Sequence, residues 1–108
     1  MARIDDFKPQ DLANTAWAFA AVGHGSPALF DRLASASMVN MVHFNPQALS
    51  NTAWAFATAG KVSPALFHAL ASAAATRASE FSPQALANTA WAFATAGHAL
   101  PALFDALA

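Results

Sequence analysis

The stretch LANTAWAFAAVG at residues 12–23 returns as LSNTAWAFATAG at 49–60 and as LANTAWAFATAG at 86–97. Its landmarks repeat at one interval. Phe7, Phe44 and Phe81 are 37 residues apart, and so are Trp17, Trp54 and Trp91, and Pro27, Pro64 and Pro101. Of 27 aligned positions, 21 are identical between Phe44–Leu70 and Phe81–Leu107, and 18 between Phe7–Leu33 and Phe44–Leu70. A fixed period in this range marks a stacked array, in which each unit buries its apolar face against its neighbours. Thirty-seven residues are too many for one helix and suit a helical pair with short turns. The expected fold is all-α, an α-solenoid of helix-turn-helix repeats over residues 1–108. The repeats fall at about 7–43, 44–80 and 81–108, the last truncated.

Each unit punctuates its helices in the same way. The first helix opens at Pro9, Pro46 or Pro83, because proline suits the first helical position, where its missing N–H would be unpaired anyway. Asn45 and Ser82 precede it as caps, whereas Lys8 is a poor one. Gly23, Gly60 and Gly97 should end these helices, since a left-handed backbone is cheap only for glycine. Ser26-Pro27 and Ser63-Pro64 open the second helices, which are predicted to reach about Met41 and Ser79. The third unit offers Leu100-Pro101 without a cap, and its second helix is cut at Ala108 after roughly two turns, as expected of a fragment.

Composition narrows the options. Alanine occurs 31 times, so helix contacts should be close and shallow, anchored by Leu, Phe and Trp. Without cysteine the chain has neither disulfides nor a thiolate metal site. No run reaches the roughly 18 apolar residues of a membrane span, and MARIDDFKPQ shows no targeting segment. Five basic residues, Arg3, Lys8, Arg32, Lys61 and Arg77, stand against six acidic ones.

The faces can be read from spacing. Leu49, Ala53, Phe56 and Ala57 form one stripe of the middle unit's first helix, expected to pack on its partner helix. Gln47, Asn51, Trp54 and Thr58 form a second row, with Thr52 and Ala55 beside it. The same row is Gln10, Asn14, Trp17 and Ala21 in the first unit and Gln84, Asn88, Trp91 and Thr95 in the last. This row supports two readings. In one it is glue between repeats: Asn51 bridges a neighbouring turn, Thr52 bonds back to a carbonyl and Trp54 wedges between units. In the other it presents hydrogen-bonding groups at regular steps to an extended partner, a description that single-stranded nucleic acid fits. The positions that vary between repeats, Asp11/Ala48/Ala85, Ala13/Ser50/Ala87 and Ala21/Thr58/Thr95, would then discriminate.

Other candidates are weaker. The turn after each glycine carries His24, Lys61 and His98, followed by Asp31, His68 and Asp105, and the residue types do not assemble a metal site or a proton relay. Phe30, Phe67 and Phe104 read as second-helix core, and Phe7, Phe44 and Phe81 as staples at the helix start. No phosphate loop, paired carboxylate or nucleophile motif is present. The expectation is no enzyme, no catalytic residue, no metal and no cofactor.

The pattern F-x-P-Q-x-L-x-N-T-A-W-A-F-A-x-x-G followed by P-A-L-F resembles the organellar helical repeats of the octotricopeptide and heptatricopeptide type. Relatives of that type include the FAST-kinase-like proteins and the RNA-editing substrate-binding complex proteins. The likeness spans Phe7 to Leu107, and its most specific part is the spacing of Pro46, Gln47, Leu49, Asn51, Thr52 and Trp54. It implies an α-solenoid that binds RNA in a chloroplast or mitochondrion and serves RNA processing, stability or translation. Carried over by position, Asn14, Thr15, Asn51, Thr52, Asn88 and Thr89 become RNA-facing candidates, joined from the polar row by Gln10, Gln47, Gln84, Thr58 and Thr95. Phosphate neutralisation supplies much nucleic-acid affinity, so so few cations imply weak RNA binding by this segment alone. The alternative is a protein-binding or structural helical array, with self-association through its uncapped ends. A continuous positive strip would favour RNA, and an exposed apolar groove would favour protein.

Overall fold

A computed structural model describes residues 7–23, 26–61 and 63–97, and these are mainly helical, without strands. Five α-helices of equal length follow one another: α1 (Pro9–Ala21), α2 (Pro27–Val39), α3 (Pro46–Thr58), α4 (Pro64–Thr76) and α5 (Pro83–Thr95). Every one begins with the proline that the repeat places there. Four are capped by side chains. Ser26, Asn45, Ser63 and Ser82 accept the N–H of the residue three positions on, at 3.4, 2.7, 3.3 and 3.1 Å. Lys8 has no acceptor to offer α1; instead the Asp11 carboxylate accepts the Lys8 backbone N–H at 3.1 Å.

The first helices stop where the glycines stand. Gly23, Gly60 and Gly97 have φ of 75°, 69° and 76°. At Gly60 the ending is a full Schellman motif, the Gly60 N–H bonding Ala57 O at 3.2 Å and the Lys61 N–H bonding Phe56 O at 3.0 Å. The second helices end sooner than predicted. α2 stops at Val39 and α4 at Thr76, and 3-10 turns over Met41–His43 and Ala78–Glu80 replace the last helical turn. No glycine is available there, so Asn40 and Arg77 leave the helix at φ −104° and −117°. Tighter bonds then take up the free carbonyls: His43 N to Asn40 O and Glu80 N to Arg77 O, both 2.9 Å. The turns deliver Phe44 and Phe81 into the core, as staples should lie. Arg77 ties the turn down, donating to the Phe44 carbonyl and pairing with Glu80 at 3.2 Å.

The main packing was not visible in the sequence. The first helices lie chiefly against one another, α3 between α1 and α5, and α1 and α3 touch their own hairpin partners, α2 and α4, less. The stripe Leu49, Ala53, Phe56 and Ala57 is buried as expected, but in a layer of first helices rather than mainly against α4.

Comparison of the three copies assigns each face its neighbour. Ala48, Thr52, Ala55 and Phe56 are buried in α3, and so are Ala85, Thr89, Ala92 and Phe93 in α5. Their counterparts in α1, namely Asp11, Thr15, Ala18 and Phe19, are exposed or half-buried. That face therefore meets the preceding repeat. Ala13, Ala16 and Ala20 in α1 and Ser50, Ala53 and Ala57 in α3 are buried, while Ala87, Ala90 and Ala94 in α5 are not, so the second face meets the following repeat. Phenylalanines lock the junctions across layers. Phe30 of α2 meets Phe56 of α3 edge-on, and Phe67 of α4 meets Phe93 of α5 likewise, both with centroids 5.1 Å apart. Such pairs add about 0.5–1.5 kcal/mol to the burial of the rings. Phe104 lies outside the described residues.

Two substitutions test this account. Gly60→Ala places a Cβ where nothing lies within 4 Å, so any cost comes from the backbone alone, and urea unfolding should show a loss of about 1–2 kcal/mol. Ala53→Leu should cost about 1–3 kcal/mol by forcing the first helices apart. If Ala53→Leu were neutral, the close approach of the first helices would not hold.

Candidate nucleic-acid interface

The repeat geometry turns one row of each first helix outward. Gln10, Asn14 and Trp17 are exposed on α1, Gln47 and Thr58 on α3, and Gln84, Trp91 and Thr95 on α5. Asn51, Trp54 and Asn88 are half-buried at the junctions. The row is thus the open face of the first-helix layer, interrupted where neighbouring helices meet.

The tryptophans divide along these lines. Trp54 packs against the core, and its ring stacks on Trp17 at 5.8 Å with 29° between planes. That is the wedge between units. Trp17 and Trp91 each keep 47% of their surface exposed.

The threonines beside the row do not belong to it. Thr52 and Thr89 are each 1% exposed, and their hydroxyls donate to Ala48 O and Ala85 O at 2.7 Å. They face the preceding repeat. Thr52 and Thr89, offered from the family resemblance as RNA-facing, are therefore corrected to interior positions whose polar atoms are already used. Thr15 is half-buried on the same face of α1.

The asparagines behave differently. Gln10 Nε2 donates to Asn14 Oδ1 at 3.0 Å on α1, so that pair is partly engaged with itself. The side-chain amides of Gln47, Asn51, Gln84 and Asn88 make no hydrogen bond within the described residues. Among the described residues Asn51 does not bridge a neighbouring turn. These four amides line one open cleft of about 280 Å³ at the junction of α3 and α5, together with Ser50, Ser82 and Ala85. Ser82 is the cap of α5, so the cleft lies at the start of that helix.

Ser50 stands out. It is fully buried on the face of α3 that meets α5, and its Oγ has no hydrogen-bond partner among the described residues. A buried hydroxyl left unpaired costs about 1–3 kcal/mol. Its counterparts Ala13 and Ala87 carry no such group. Sequence comparison marked the position as variable, but only the packing shows that the hydroxyl is both enclosed and unpaired.

No cation lines this cleft. Lys8 sits before α1, Arg32 on α2, Lys61 in the turn after α3, and Arg77 is engaged with Glu80 and Phe44. The described residues therefore form no continuous positive strip. They also hold no group of three or more metal-ligating side chains. Asp31 and Lys61 line a second cleft, against Phe30 and Phe56; His24, His98 and Asp105 lie outside the described residues. No described helix is long and apolar enough to cross a membrane.

A helical array with a period of 37 residues and an outward row of amides is the setting in which one comparison becomes informative. The family model described as RNA-editing substrate-binding complex 6 protein matches residues 2–108. The chain belongs to that family. The match takes in all three repeats. A comparison with curated proteins finds no match. Family membership connects the chain with RNA-editing complexes at a coarse level.

The separation of roles within N-T at 51–52 can be measured. Thr52→Val should leave stability within about 1 kcal/mol of wild type, because the substitution removes the hydroxyl outright and the Ala48 carbonyl keeps the Thr52 backbone N–H of the helix as its donor. Asn51→Ala should leave it equally unchanged, since the amide has no partner to lose. A loss well above that for Asn51→Ala in urea unfolding would make Asn51 a structural bridge.

Proposed function

We infer that this segment is a non-catalytic helical-repeat module that binds single-stranded RNA on the open face of its first-helix layer, within an organellar RNA-editing assembly. The observation that carries the reading is the set of four uncommitted amides, Gln47, Asn51, Gln84 and Asn88, around one open cleft. Amides present donors and acceptors together, which is what the edges of unstacked bases require. Asn14, Gln10, Thr58 and Thr95 extend the same outward row to either side. The exposed ring of Trp91 offers a surface on which a base can stack. The family, as its description says, concerns an RNA-editing substrate-binding complex, and it is organellar and mitochondrial in general. That supports the mitochondrion over the chloroplast as the setting of this reading. The octotricopeptide and heptatricopeptide likeness adds the idea of successive repeats meeting successive nucleotides.

One observation favours a second reading, a protein-contact array. The end of α2 and the turn after it expose Val39 by 82% and Val42 by 79%. Val42 borders a shallow apolar groove with Met41, Ala69 and Ala73 on the second-helix side. A member of a complex can use both faces, the first helices for RNA and the second for protein. Self-association by stacking one more repeat on α1 in the usual register is less suited to the surface. It would cover Phe19, now 40% exposed, but would also bury the Asp11 carboxylate where α3 and α5 bury Ala48 and Ala85.

Anisotropy titration of labelled single-stranded RNA tests the proposal on a folded, monodisperse sample. Weak binding is expected, lowered about fivefold by Asn51→Ala or Asn88→Ala, in keeping with roughly 1 kcal/mol per hydrogen bond. With no cation in the cleft, log K should fall with log salt by a slope of magnitude below about 2. Absence of binding at low salt from a folded sample would remove the RNA reading and leave the protein-contact one.

A further inference from the structure

The junction between the second and third repeats differs chemically from the one before it. At the first junction the inward-facing position is Ala13, and the Gln10 and Asn14 amides are bonded to each other. At the second junction that position is Ser50, enclosed and without a partner, and the four amides around it are uncommitted. Both differences lie in one cleft. We propose that this cleft is a nucleobase pocket, with the Ser50 hydroxyl as its selecting group, so that the α3–α5 junction discriminates between bases and the α1–α3 junction does not. The proposal rests on the RNA reading above and goes further by assigning selectivity to one junction and one atom.

The chemistry of the lining identifies the class of ligand. A phosphate calls for donors and positive charge, whereas this cleft has neither Lys nor Arg and places amide carbonyl oxygens beside amide NH₂ groups. A neutral planar edge with alternating donors and acceptors satisfies such a set, and Asn and Gln pair with base edges in this way. The size agrees, about 280 Å³ being near the roughly 300 Å³ lower end for ligand pockets. Ser82 uses its Oγ as acceptor for Ala85 N–H and keeps its own proton free to donate. Ser50 forms part of the lining without exposed surface, so binding requires the surrounding side chains to shift before a base edge reaches its hydroxyl. A hydroxyl can donate or accept, so at such a point it favours a base that places a polar edge group there and disfavours one that places a C–H there, which leaves the hydroxyl unpaired.

The test compares wild type with Ser50→Ala on labelled decamers of adenosine, cytidine and uridine, with a ribose-phosphate decamer lacking bases as control. Wild type should prefer one base decamer and bind the abasic control least. Ser50→Ala should lower affinity for the preferred decamer about fivefold or more and leave the others unchanged, flattening the preference. Its melting temperature should hold or rise, because the substitution deletes an unpaired buried hydroxyl. An unchanged preference in Ser50→Ala overturns the pocket while leaving RNA binding intact. A lowered melting temperature with equal loss on all decamers makes Ser50 a packing residue and also overturns it. Wild type that binds none of the decamers removes the RNA reading itself, and the pocket with it.

Discussion

Everything in this array depends on how closely the first helices approach one another. Ala13, Ala16 and Ala20 of α1, Ala48, Ala53, Ala55 and Ala57 of α3, and Ala85 and Ala92 of α5 are buried. Alanine brings no side-chain entropy cost into a helix and lets backbones come near. The remaining volume between layers is filled by Leu12, Leu33, Leu49, Leu66 and Leu70 and by the edge-on phenylalanine pairs. The array therefore rests on small residues for proximity and on aromatic rings for register.

The same closeness shapes the candidate site. With first helices side by side, the mouth of each junction is framed by the outward rows of two successive repeats. An amide at the Asn51 position is then half-buried by the neighbouring helix and still open to the cleft. Buried glue and open polar surface, which looked like alternatives along the sequence, occupy adjacent positions of one turn: Thr52 is turned inward and bonded, and Asn51 borders the cleft without a hydrogen bond among the described residues. Trp54 belongs to the glue, stacked on Trp17 and packed on the core.

Charge sets the character of whatever binds. A segment with five basic and six acidic residues, none of them in the cleft, has little to offer a phosphate backbone. Recognition through this face would be of bases more than of backbone, and its contribution would be selectivity, with affinity supplied by partners or further repeats. The apolar patch at Val39 and Val42 lies on the opposite, second-helix side of the hairpins, so the two kinds of contact do not compete for one surface.

The sequence by itself determined the period, the helix starts and the first-helix ends. Pro9, Pro46 and Pro83, the serine and asparagine caps, and Gly23, Gly60 and Gly97 act through the few bonds of their own turn, so their effect is legible in a short window. It misjudged the ends of α2 and α4, where Asn40 and Arg77 stop the helix without a glycine and the turn is held in part by the core burial of Phe44 and Phe81 and the reach of Arg77. It could not say which neighbour each face would meet. Nearly identical repeats carry the same faces, and only the packing assigns one to the repeat before and the other to the repeat after. That assignment removed Thr52 and Thr89 from the surface, left Asn51 and Asn88 open, and enclosed Ser50 without a partner. Burial is a relation between two segments 37 residues apart, and no local window contains both.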